Sequence, residues 1–69
     1  MDIKEKFGLR VKEIRQQKGI SQEGLALIAE VDRTYIQSIE GGKRNVSLVI
    51  IEKLAKAFDL SIESLLKNL

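Results

Sequence analysis

The residues best suited to chemistry lie between Asp32 and Gly42, in the run Asp32-Arg33-Thr34-Tyr35-Ile36-Gln37-Ser38-Ile39-Glu40-Gly41-Gly42. Asp32 is a helix N-cap type, because its carboxylate accepts a backbone N–H of the first turn. The Gly-Gly pair suits a helix end, since glycine enters the left-handed conformation there without steric penalty. On a helix between these signals, Arg33, Thr34, Gln37 and Ser38 share one arc of about 140°, with Ile36 and Ile39 opposite and Tyr35 at the edge. The arc carries a guanidinium, an amide and two hydroxyls, so every member hydrogen-bonds. Arg pairs bidentately with guanine, Gln with adenine, Ser and Thr with either, and the Thr methyl touches thymine. Such a face fits the floor of a DNA major groove. It also fits a solvated surface that happens to lack Lys and Glu. The helix alone does not choose between them. Lys43-Arg44 follows the glycines directly and puts a basic edge beside this helix, where phosphate contact would use it.

Other chemistries find little material. There is no His and no Cys, which removes the commonest general base, the soft metal ligands and any disulfide. The carboxylates show no paired constellation, and no Gly-rich phosphate loop follows a strand. No catalytic residues, metal or cofactor are expected. Net charge is +2, from twelve Lys and Arg against ten Asp and Glu. That excess is small, so the placement of charge carries the argument. No apolar run approaches the ~20 residues of a membrane span, and the N-terminal residues show no signal-peptide pattern. A cytoplasmic protein is expected, with no membrane partner.

Several elements must hold the site in place. The chain has 69 residues, of which 43% are hydrophobic and 32% charged, and contains no proline. This predicts one globular domain over residues 1–69. A first helix is expected from Asp2 to Lys18, with Ile3, Phe7, Val11 and Ile14 on its apolar stripe and Asp2 with Glu5 as a capping box. Gly8 in its interior is compatible with a close helix–helix approach. Gly19 ends it. A second helix runs from Ser21 to Ala29, with Leu25, Ile28 and Ala29 inward and Ala26 beside them. Glu30-Val31 forms a turn into Asp32, so helices two and three make a helix-turn-helix. A fourth helix starts at Asn45 or Ser47 and runs to about Phe58. Its apolar residues cover half the wheel, more than the roughly 100° a surface helix needs. Ser61 caps a fifth helix with Ile62, Leu65, Leu66 and Leu69 on one side. The fold class is all-α, a compact five-helix bundle. The surplus apolar surface on helices four and five predicts a two-fold homodimer, with Ile50, Leu65, Leu66 and Leu69 near the centre of the interface and Val49 at its rim.

Gly19-Ile20-Ser21-Gln22-Glu23-Gly24-Leu25-Ala26, Val31-Asp32-Arg33-Thr34-Tyr35-Ile36 and Ile39-Glu40-Gly41-Gly42-Lys43-Arg44-Asn45 together resemble the lambda-repressor-like, phage-repressor class of helix-turn-helix proteins. Asp32 to Ile36 with Arg44-Asn45 look most like the controller proteins of restriction–modification systems. The resemblance implies an autoregulating transcriptional regulator, activator and repressor by turns, that binds palindromic operator or promoter DNA as a homodimer. RNA polymerase is then a candidate partner. It implies phosphate contact by Gln22 beside Ser21, base reading at or beside Arg33, Thr34, Gln37 and Ser38, approach of Tyr35 to DNA, a second base-reading arginine in Arg44, backbone contact by Asn45, and an Arg15–Glu40 ion pair tying helix one to helix three. Lys43 joins the set as a basic neighbour. An antitoxin, a phage-type repressor and a helical protein–protein module without DNA binding are the alternatives. Two positions depart from the pattern: Glu30 stands where the turn usually has Gly or Asn, and Gly24 where helix two usually has a better helix former.

Overall fold

Short polar side chains open every helix of the computed structural model, which describes residues 1–69. The helices are α1 (Ile3–Gln17), α2 (Gln22–Ala29), α3 (Arg33–Glu40), α4 (Leu48–Ala57) and α5 (Ile62–Leu65). Asp2, Ser21, Asp32, Ser47 and Ser61 stand immediately before them in extended conformation, and each side-chain oxygen accepts a first-turn N–H. Asp2 and Glu5 complete the capping box reciprocally, at 3.0 and 3.2 Å. The helix ends are equally regular. Gly19, Glu30, Gly42 and Asp59 all have positive φ. The N–H after each reaches back five residues, Ile20 to Arg15, Val31 to Ala26, Lys43 to Ser38 and Leu60 to Ala55. This closes the orphan carbonyls of the last turn.

The core takes Phe7, Val11 and Ile14 from α1, Leu25, Ala26 and Ala29 from α2, Ile36 and Ile39 from α3, then Leu54, Ala55, Phe58 and Leu65. α3 packs against both α1 and α2, so the segment with the hydrogen-bonding arc is held from two sides. Gly8 makes the α1–α3 approach possible. A Cβ at that position would run into the Ile39 carbonyl and the Glu40 backbone. The cost of glycine inside a helix, about 1 kcal/mol, is offset by backbone-to-backbone packing that no larger residue permits.

Some expected positions are corrected. Ile3 is 58% exposed and leaves the α1 stripe. It sits one turn before the crossing at Gly8, and lines a shallow groove with Phe7, Ile51, Leu66 and Leu69. Ile28 is also exposed, because the buried face of α2 is centred on Leu25, Ala26 and Ala29, about 100° away on the wheel. α5 is a single turn ending at Leu65. Its last carbonyls are taken by Arg10, whose Nε donates to Leu65 O at 3.1 Å and Nη2 to Ser64 O at 2.8 Å. Leu65, expected at a dimer interface, is 0% exposed and belongs to the core. Its position one helical turn from the cap Ser61 turns it into the core, where α5 packs on α4, rather than outward. Leu66, Leu69 and Ile50 are half-buried and Val49 is exposed, as is Leu48 beside it. No helix is long and apolar enough to cross a membrane.

Candidate nucleic-acid interface

The turn between α2 and α3 is set by Glu30, at φ 59 and ψ 45. The left-handed conformation costs a residue with a Cβ about 1–2 kcal/mol, and the Val31-to-Ala26 hydrogen bond of 3.0 Å compensates in part. Asp32 then starts α3. Its carboxylate accepts the Thr34 N–H at 2.8 Å and the Thr34 hydroxyl as well. The hydroxyl bond first, and the backbone bond second, hold the Asp32 carboxyl below its ordinary range. Asp32 is therefore a charged cap at neutral pH. Thr34 has spent its only proton on that cap, so it faces outward with acceptor lone pairs and a methyl group. Gly24, whose presence in α2 departs from the expected pattern, is stabilised by its own N–H donating to Ser21 Oγ at 2.9 Å.

Arg33, Thr34 and Gln37 are exposed, and Ser38 and Tyr35 are half-buried. Arg33 stands at the positive end of α3, where an anion is favoured. Within the chain Glu23 of α2 supplies one, with Nη1 to Oε2 at 3.5 Å and side chains 56% and 79% exposed. A solvent-exposed pair at this separation is worth little, so the guanidinium is free to leave it. Lys43, Arg44 and Asn45 are exposed in the connection from α3 to α4. Arg44 lies over the Tyr35 ring, its guanidinium carbon 4.4 Å from the ring centroid.

The other end of α3 is anchored. Arg15 donates from Nε and Nη2 to both oxygens of Glu40, at 2.7 and 2.9 Å, and from Nη1 to the Ile20 carbonyl at 2.9 Å. The two side chains are only 12% and 4% exposed. The hydrogen bond to Glu40 raises the Arg15 pKa further, against the opposing effect of burial. Gln22 Nε2 donates to the same carboxylate at 3.1 Å. One buried group thus joins α1, the first turn of α2 and the last turn of α3. Gln22 keeps one amide proton and its carbonyl oxygen for other partners.

The structure gathers Arg33, Thr34, Gln37 and Ser38 on α3 and links them to Arg44 through Tyr35 and to Gln22 through Glu40. Val49, Ile50, Leu66 and Leu69 lie on other elements. Glu23 and Arg10 are contributors that the sequence pattern did not flag. Glu23 reads as an ordinary acidic residue of a helix's first turn. Arg10 meets its partners across 54 and 55 residues, a separation that carries no local signal. No group of three or more His, Cys, Asp or Glu is arranged to hold a metal ion.

Comparison with known proteins bears on this arrangement. The helix-turn-helix family profile matches residues 11–65. The control protein C.MunI of a Mycoplasma species is 44% identical over 69 residues, covering 99% of this chain and 93% of that protein. The crystal structure of the restriction–modification controller protein C.AhdI from Aeromonas hydrophila superposes with a TM-score of 0.87 at 50% identity, over 90% of this chain and 94% of that one. SinR, a master regulator for biofilm formation crystallised in complex with DNA, superposes with a TM-score of 0.82 at 37% identity, over 88% of this chain and 98% of that one.

Proposed function

The chain belongs to the helix-turn-helix family of DNA-binding transcriptional regulators, among the restriction–modification controller proteins, and from this we propose that it governs the promoter of a restriction–modification operon, its own included, by binding palindromic DNA as a homodimer. The observation that carries the proposal is the exposed arc of α3 beside the basic connection to α4. Arg33, Thr34 and Gln37 are side chains able to read base edges, and the core fixes the helix that bears them. In this reading Arg33, Thr34, Gln37, Ser38 and Arg44 read or flank bases, with Tyr35 beside them. Ser21, Gln22, Lys43 and Asn45 meet the sugar-phosphate backbone, which positions the protein without specifying sequence.

One short helix spans too few base pairs to define a genomic site. Two copies about a two-fold axis set the reading helices one DNA turn apart, about 34–36 Å. Support for this comes from α4 and the chain's end, where Leu48 and Val49 are 78% and 62% exposed and Ile50, Leu66 and Leu69 are half-buried. Residues 1–69 act as one DNA-binding domain. Its work is binding in the cytoplasm, with RNA polymerase as the partner at an activated promoter and no catalytic step of its own.

A reporter driven by the native upstream region tests the role. Expression should rise at low protein concentration and fall at higher concentration, as one site and then a second fills. A flat response would leave a DNA-binding protein but remove the controller role.

A further inference from the structure

We propose that Tyr35 is a positioning residue for Arg44: its ring is the platform that presents the Arg44 guanidinium for base reading. The inference rests on Arg44 reading a base. Of the four arginines, Arg10, Arg15 and Arg33 each reach a carboxylate. Arg44 reaches none, and its guanidinium carbon instead lies over the Tyr35 ring, 4.4 Å from the centroid. That is well within the ~6 Å over which a cation is attracted to an aromatic face. Tyr35 is itself held, because it is half-buried and packs from α3 against the core cluster.

Geometry makes the stack useful. The donors of a guanidinium form a planar fork, and no ion pair or side-chain hydrogen bond within the chain engages that of Arg44. Arg44 therefore keeps its fork for a guanine edge while losing much of the rotamer freedom of an exposed loop arginine. No hydrogen bond in the chain engages the Tyr35 hydroxyl. The ring face alone carries the effect, so phenylalanine should replace tyrosine.

The test is selection of bound duplexes from a pool randomised across one half-site. It compares wild type with Arg44→Ala, Tyr35→Leu, Tyr35→Met, Tyr35→Phe and Arg44→Ala with Tyr35→Leu combined. The two aliphatic variants run in parallel so that loss of fold in one, read by circular dichroism, leaves the other. Arg44→Ala should reduce discrimination at one base pair by roughly tenfold. The aliphatic Tyr35 variants should relax that same base pair, the double variant should be no worse than Arg44→Ala, and Tyr35→Phe should match wild type. If Arg44→Ala alters no base preference, Arg44 is not a reader and the underlying reading falls. If Arg44→Ala relaxes a position that the aliphatic Tyr35 variants leave intact, the positioning role is overturned while the reading stands. Relaxation at a different position, multiplying effects in the double variant, or failure of Tyr35→Phe would equally overturn it, by assigning Tyr35 a contact of its own.

Discussion

Arg15→Ala is expected to leave most of the chain unfolded at room temperature. Glu40 is 4% exposed at its side chain, and Arg15 gives it two of its three hydrogen bonds. Removing one partner of a buried pair costs about 3–5 kcal/mol, because a desolvated charge is left behind. A single core in a chain of this size supplies about 3–5 kcal/mol in all. The same substitution frees the Ile20 carbonyl and loosens the joint between α1 and the α2–α3 unit. Replacing both partners, as Arg15→Met with Glu40→Leu, should recover most of the lost stability, since no charge is then stranded. Urea titrations followed by circular dichroism measure both. A loss below about 1 kcal/mol for Arg15→Ala would show that water reaches Glu40 and screens it as at a surface.

Charge introduced at Leu65 and at Val49 should have opposite consequences. Leu65 is 0% exposed, so Leu65→Glu removes core packing and buries a carboxylate with no partner, a penalty of several kcal/mol. Val49 is 62% exposed, and a surface change of this kind usually moves stability by no more than about 0.5 kcal/mol. Val49→Glu should therefore melt like wild type yet sediment as a monomer, and bind a palindromic site weakly and without cooperativity. Leu65→Glu should not fold at all. If Val49→Glu sediments as wild type does at micromolar concentration, α4 is not the two-fold surface. A folded, monomeric Leu65→Glu would contradict the placement of that residue in the core.

These cases show what the chain discloses before folding is considered. Helix starts are legible because capping is local: Asp2, Ser21, Asp32 and Ser61 announce themselves, and Ser47 is one of two candidates. The buried faces of α1 and α3 follow from periodicity, and the exposed arc at Arg33, Thr34 and Gln37 is the complement of Ile36 and Ile39. The periodic signal fails where a helix ends before its neighbour does. Ile3 fits the stripe of α1 but extends past the crossing at Gly8. Leu65 shares a side with Leu66 and Leu69 on paper, whereas the single-turn α5 sends it inward. The left-handed turn at Glu30 is signalled by the family pattern, which has Gly or Asn there, and not by the glutamate itself; it keeps its shape because the Val31 hydrogen bond and the Asp32 cap hold both sides of it. Contacts between distant segments have no local signature. The Arg10 bonds to α5 and the Arg44 stack on Tyr35 exist only once the helices are packed. The Arg15–Glu40 pair follows from the family resemblance rather than from the spacing of the two residues.

In the proposed function, α3 reads DNA sequence through Arg33. Its most direct test is titration of wild type and Arg33→Ala against the selected half-site palindrome and against random duplex, at one fixed salt concentration. Arg33→Ala should weaken binding to the palindrome by about 1–3 kcal/mol and relax specificity at one base pair in each half-site. Its affinity for random duplex should change far less, so the ratio of specific to random binding should fall by roughly tenfold or more. An unchanged ratio in a folded Arg33→Ala protein would mean that Arg33 does not read sequence.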